Sequence, residues 1–167
     1  MRVAILTLSD KGARGERVDA SGPALSAWLA ERGVTTVAAE VIADEYQQII
    51  AKLTAWADSD TADLILTTGG TGVSPRDVTP EATMQVVTRL IPGMGELMRL
   101  RSLEKTQMAA LSRAVAGIRA QSLIINLPGS PKGAVENLEA VWQVIGQAVE
   151  KIRGDSSDCG ERFTLTA

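Results

Sequence analysis

Histidine is missing altogether from the 167 residues, and the single cysteine, Cys159, stands near the C-terminus. Without imidazole there is no Ser-His-Asp triad and no histidine-bound zinc. One thiol closes no internal disulfide, so a reducing, cytoplasmic setting is expected. Positive charge is not in excess either. The net charge is −3, which provides no global field for nucleic acid or an anionic membrane, so any phosphate ligand must be held locally. Long apolar runs are also lacking. The opening MRVAILTLSD is cut short by Thr7, Ser9 and Asp10, too soon for a signal peptide or a membrane span. No internal repeat, linker or low-complexity tract interrupts the chain.

What is present suits one compact domain: 45% of the residues are hydrophobic and 22% charged. That domain is expected over residues 1–153, followed by a polar, mobile tail over 154–167. Its most informative stretch is residues 63–84, DLILTTGGTGVSPRDVTPEATM. The short apolar run Leu64, Ile65, Leu66 reads as a buried strand, continued by Thr67 and opening into a loop with Gly69, Gly70 and Gly72. Glycines so close together allow positive φ and let a ligand approach the main chain. Thr79, Pro80 and Glu81 then have the order of a helix N-terminus: a hydroxyl cap, a proline at the first position, an acid in the first turn. A strand, a glycine loop and a helix start in that order form an anion site, because free N–H groups point outward with partial positive charge. It is neither of two familiar phosphate loops. Val73 and Ser74 follow Gly72 where a P-loop needs Lys and Ser or Thr, and Pro75 stands where a dinucleotide fingerprint beginning at Gly70 needs Gly or Ala.

Along the rest of the chain, residues 3–8 read as a first strand buried on both faces, followed by a polar loop over 9–22. A helix starts near Ser21, Gly22 and Pro23 and ends at Gly33, and a second strand covers 34–42. Asp44 with Gln47 forms a variant capping box for a helix over about 45–58. The helix at Thr79 is expected to reach about residue 90, with another over 94–105. Residues 114–118 and 122–126 read as an antiparallel strand pair, and Ser130 and Pro131 start a last helix that runs to about residue 153. Strands alternating with helices point to a parallel, helix-covered sheet, with ligands bound beyond the carboxyl ends of its strands.

Plainer readings exist for most of the polar residues. Asp44 serves as an N-cap, Asp77 as an Asx turn, Ser130 as a helix cap, and Lys132 as a solvated charge. Met94, Leu97 and Met98 read as core or subunit interface, Trp28, Trp56 and Trp142 as packing, and Cys159 as incidental.

TTGGTG with RDVTPEAT, together with Ser9-Asp10, DASG at 19–22, PGMGELMR at 92–99 and NLPGSPKGAVENL at 126–138, resembles the MoaB/Mog proteins of molybdenum cofactor biosynthesis, the molybdopterin adenylyltransferases. The resemblance implies a three-layer α/β/α fold whose mostly parallel sheet carries one antiparallel strand, and a homotrimer. It implies Mg²⁺-dependent transfer of AMP from ATP to the terminal phosphate of molybdopterin, with release of pyrophosphate and a possible hand-over to a metal-inserting protein. By position, the family's catalytic acids fall on Asp44 and Asp77, which are also the magnesium candidates. Ser9, Asp10, Asp19, Thr68, Gly69, Gly70, Thr71, Gly72, Ser74, Gly129 and Ser130 fall on substrate-binding positions. The competing reading is a protein of the same fold that binds molybdopterin or its metallated product without turnover.

Overall fold

In a computed structural model, described here for residues 1–156, one six-stranded sheet runs through the molecule in the order β2-β1-β3-β6-β5-β4. The strands are β1 (Arg2–Leu8), β2 (Thr35–Ile42), β3 (Leu64–Thr68), β4 (Arg89–Leu90), β5 (Ala116–Arg119) and β6 (Ser122–Leu127). β1 pairs in parallel with β2 and β3, and β3 with β6. β5 is antiparallel to both β6 and β4, so it alone runs against the rest. The helices are α1 (Asp10–Ala13), α2 (Ser21–Ala30), α3 (Tyr46–Asp58), α4 (Thr79–Val86), α5 (Pro92–Leu103) and α6 (Pro131–Ile152), with a 3₁₀ turn over Gln107–Leu111.

Alternation along the central strands divides the core in two. Val3 and Ile5, Leu64 and Leu66, and Leu123, Ile125 and Leu127 pack with α2, α5 and α6 on one face. Ala4 and Leu6, Ile65 and Ile124 pack with α3 and α4 on the other. The result is the expected three-layer α/β/α sandwich. Trp28 and Trp142 seal the first core where α2 meets α6, their rings edge to face at 5.0 Å. No helix among the described residues is long and apolar enough to cross a membrane. Cys159 and the rest of 157–167 lie outside the described residues.

Four local expectations are corrected. The loop after β1 contains a helical turn, α1, whose start is capped by Ser9 accepting from the Gly12 amide at 3.1 Å. Asp44 does not cap α3: Glu45 holds the N-cap position with no side-chain bond there, and the Asp44 carboxylate turns to the Asp10 amide at 2.9 Å. Thr79 is the first residue of α4 rather than its cap, and its hydroxyl donates to the Gly69 carbonyl at 2.9 Å. α4 stops at Val86 because Val87 turns extended and the next residues join the sheet, Thr88 N donating to Ile118 O at 2.7 Å and β4 pairing with β5.

Candidate active site

The chain leaves β1 toward β2 at one edge, then crosses back to place β3 on the other side of β1. Such a reversal opens a crevice at the carboxyl ends of the two strands. A cleft of about 380 Å³ sits there, lined by Thr7 to Ser9 after β1, Asp44 after β2, Thr68 to Gly70 after β3, and Gly129 to Pro131 after β6. Arg17, Asp19 and Asp77 complete its wall.

The loop after β3 is held in a way that composition alone does not reveal. Four consecutive carbonyls, residues 69–72, are acceptors. Thr79 takes the first two, through its hydroxyl to Gly69 O at 2.9 Å and its amide to Gly70 O at 3.2 Å. Arg113 takes the other two, through its amide to Thr71 O at 2.9 Å and its Nε to Gly72 O at 2.6 Å. The same guanidinium also donates to the Asp77 carbonyl and to Glu81. With its carbonyls engaged in this way, the loop has backbone amides left over. The amides of Gly70, Thr71, Gly72, Gly129 and Ser130 donate to nothing among the described residues. Gly69 departs from the expected pattern: its amide is engaged by Leu127 O at 3.1 Å, so it joins β3 to β6 rather than facing a ligand.

Glycine is required at two of these positions. Gly69 has φ +106° and Gly70 φ +62°, values that strain a residue with a Cβ. A Cβ on Gly69 would lie 2.3 Å from the Leu8 carbonyl oxygen, and one on Gly70 would lie 2.3 Å from Thr79 Oγ1 and 3.0 Å from Asp44 Oδ1. The glycine loop and Asp44 are therefore in contact range of each other. Asp77 is equally near, since a Cβ on Gly72 would sit 2.9 Å from Asp77 Oδ2.

Asp44 and Asp77 share an arrangement. One oxygen of each is anchored to a backbone amide, Asp44 Oδ2 to Asp10 N at 2.9 Å and Asp77 Oδ2 to Ser74 N at 2.8 Å. Their Oδ1 atoms accept no hydrogen bond among the described residues. Burial, and then the charges of Asp10 and Asp77, push the Asp44 carboxyl above the usual carboxylate range, against the pull of the Asp10 amide. Two carboxylates that repel each other, each with an unused oxygen, form a donor set for a hard divalent cation. They do not make a cage, and no group of three His, Cys, Asp or Glu among the described residues is arranged around a metal position. Magnesium suits so sparse a set, because it keeps several waters and takes one or two carboxylates plus substrate oxygens. The residues fit that ion.

The other expected residues divide by position. Ser9, Asp19, Thr68, Gly69, Gly129 and Ser130 line the cleft with Asp44 and Asp77. Asp19 is fully occupied there: Oδ1 accepts from the amides of Ser21 and Gly22 at 3.0 and 3.2 Å, and Oδ2 from Thr7 Oγ1 at 2.8 Å. Thr68 Oγ1 donates to Pro128 O at 2.7 Å, and Ser130 Oγ caps α6 by accepting from Gly133 N at 3.2 Å. Thr71 and Gly72 face a second cleft of about 310 Å³, which shares Ser130 with the first. Asp10 and Ser74 line neither cleft. Asp10 is held by Arg76, whose guanidinium also reaches Glu45 at 2.8 Å, and this contact keeps the Asp10 carboxyl below the usual range. Arg113 and Arg17 were not singled out by sequence. For Arg113 the available signal was a lone cation, in LSRAVAG, directly before an apolar strand.

An open α/β sheet with unengaged amides beside two carboxylates at its crevice is an arrangement suited to phosphate esters. Comparison with known proteins narrows the class. The family model described as a probable molybdopterin binding domain matches residues 4–147. The molybdopterin adenylyltransferase of Helicobacter pylori J99 is 43% identical over 97% of this chain and 93% of its own length. That of Escherichia coli K12 is 43% identical over 89% and 77%. The crystal structure of the molybdopterin biosynthesis enzyme MoaB from Thermus thermophilus superposes with a TM-score of 0.86 at 54% identity, covering 92% of this chain and 97% of that one. The chain belongs to the MoaB/Mog family of molybdenum cofactor biosynthesis proteins.

Proposed function

We propose that the protein is a molybdopterin adenylyltransferase, working in the cytoplasm as a homotrimer and passing its product to a metal-inserting protein. The observation that carries this reading is the set of unengaged amides at residues 70–72, 129 and 130 beside Asp44 and Asp77. Two clefts that share Ser130 and flank one glycine loop suit a reaction that joins two substrates. The names of the relatives at 43% identity support the choice of substrates.

In the reaction, an oxygen of the terminal phosphate of molybdopterin attacks the α-phosphorus of ATP. The new O–P bond forms as the bond from that phosphorus to the β-phosphate's bridging oxygen breaks, and the electron pair departs on pyrophosphate. No oxidation or reduction occurs. The amides of Gly70, Gly129 and Ser130 would donate to the negative oxygens that crowd around the reacting phosphorus, and Thr79 and Arg113 hold the glycine loop in place beforehand. Asp44 and Asp77 would hold Mg²⁺ through their free Oδ1 atoms. When bound, that ion supplies positive charge that offsets the build-up on the leaving group. Ser9 and the amides of Thr71 and Gly72 would steady the two substrates. Asp10, Asp19, Thr68 and Ser74 maintain the frame through the bonds they already make.

Asp77→Asn keeps the shape of the side chain and removes its charge. It is expected to reduce magnesium-dependent pyrophosphate release from ATP plus molybdopterin by at least about a hundredfold, with an unchanged far-ultraviolet circular dichroism spectrum. Turnover equal to wild type would remove Asp77 from the chemistry.

A further inference from the structure

Among the described residues, Arg17 is the one cation on the wall of the larger cleft, whose other charged residues are Asp19, Asp44 and Asp77. It sits in the exposed loop between α1 and α2, and its guanidinium makes no ion pair or hydrogen bond among the described residues. Two other arginines of the loops around the cleft are not free in this way. Arg14 is closed onto Glu16 at 2.8 Å, and Arg76 onto Asp10 and Glu45 at 2.9 and 2.8 Å. Of the acids close to it in sequence, Glu16 is engaged with Arg14, and Asp19 is occupied by Thr7 of β1 and by the Ser21 and Gly22 amides of α2.

Among the described residues Arg17 is the one cation on this wall and is committed to no acid, so its guanidinium is free to meet an incoming anion. The cleft floor offers neutral amides, which suit the oxygens around a single phosphorus but do not balance several charges. Asp19, Asp44 and Asp77 would repel a chain of phosphates, so a cation on the same wall, besides any ion the two catalytic acids hold, favours its binding. A guanidinium provides one on a long side chain with a fork that matches phosphate oxygens.

We propose that Arg17 grips the β- and γ-phosphates of the nucleotide, and so the pyrophosphate leaving group. This contact selects a triphosphate over a monophosphate. The assignment rests on the adenylyl-transfer reading above, but its test does not need turnover. Binding of inorganic pyrophosphate and of AMP, each with Mg²⁺, is measured by titration calorimetry on the full chain, for wild type, Arg17→Gln and Arg17→Lys. Arg17→Gln is expected to weaken pyrophosphate about ten- to a hundredfold and to leave AMP within about twofold, with Arg17→Lys in between. In the full reaction the same loss should fall mainly on KM for ATP and less on kcat. Equal pyrophosphate affinity in wild type and Arg17→Gln overturns the assignment, as does a wild type that binds no pyrophosphate, or an equal loss for AMP. A wild type that binds pyrophosphate through Arg17 but forms no adenylylated product refutes the reaction and leaves the contact in place.

Discussion

At the scale of single residues, the site depends on side chains that never face the cleft. Arg113 and Thr79 hold four successive carbonyls, two through side chains and two through their own amides, and leave the amides of residues 70–72 without a partner among the described residues. Removing the guanidinium while keeping its bulk, as in Arg113→Met, frees the carbonyls of Gly72 and Asp77 and leaves Glu81 without its partner. We expect a cost of about 1–3 kcal/mol in urea unfolding and weaker binding of pyrophosphate. An unchanged pyrophosphate affinity would mean that the loop keeps its shape without Arg113. At this scale the sequence was partly readable. The glycines announced a loop of unusual backbone, and two of the three take positive φ. Thr79 lies nine and ten positions from the carbonyls it holds and Arg113 lies 41 and 42, separations that no local pattern encodes. The cap expectation for Asp44 fails for the same reason: Asp followed three residues later by Gln looks like a cap, yet the Asp10 amide, 34 residues upstream, takes its carboxylate.

At the scale of elements, the helices and buried strands were legible because the central strands have one residue after another buried on both faces, and the helices that cover them carry apolar stripes. The ends of elements were less so. α4 stops four residues short of the expected end because the edge of the sheet recruits residues 88–90, a tertiary demand outweighing local propensity. One junction between elements is electrostatic. Asp63, just before β3, accepts from the Arg2 amide at 2.6 Å, from the Arg2 guanidinium at 2.8 Å and from Arg153 at the end of α6 at 2.8 Å. Burial alone would raise its pKa, but the bonds from Arg2 outweigh it and hold the carboxyl below the usual range. A group depressed in the folded state contributes stability above its unfolded pKa, about 3.9, and loses it as pH falls through the folded value. Asp63→Asn should therefore cost about 1–3 kcal/mol at pH 7, with the gap to wild type closing in acid. A gap constant from pH 7 down to about pH 2 would show that charge plays no part in this junction.

At the scale of the whole molecule, the site belongs to the crevice and not to any one loop: strand ends from β1, β2, β3 and β6 all contribute. The doubly wound order places them together, and alternating strands and helices in the sequence already implied such a meeting point without saying which side chains would share it. Away from the crevice, Leu90, Leu100, Leu103, Met108 and Leu111 are each between 43% and 67% exposed, on β4, α5 and the 3₁₀ turn. An apolar surface of this kind suits the proposed trimer. Native mass spectrometry should find three copies of the 17.6-kDa chain. A lone chain at micromolar concentration would rule the trimer out while leaving the chemistry of the cleft untouched.

The central claim is that free amides and two acids at one crevice join a nucleotide to a pterin phosphate, and the product is its most direct record. Purified protein incubated with ATP, Mg²⁺ and molybdopterin, with the pterin analysed by mass spectrometry, should yield molybdopterin carrying one AMP and an equal amount of pyrophosphate. Molybdopterin recovered bound but unmodified, with ATP intact, would contradict the account and leave a binding protein in its place.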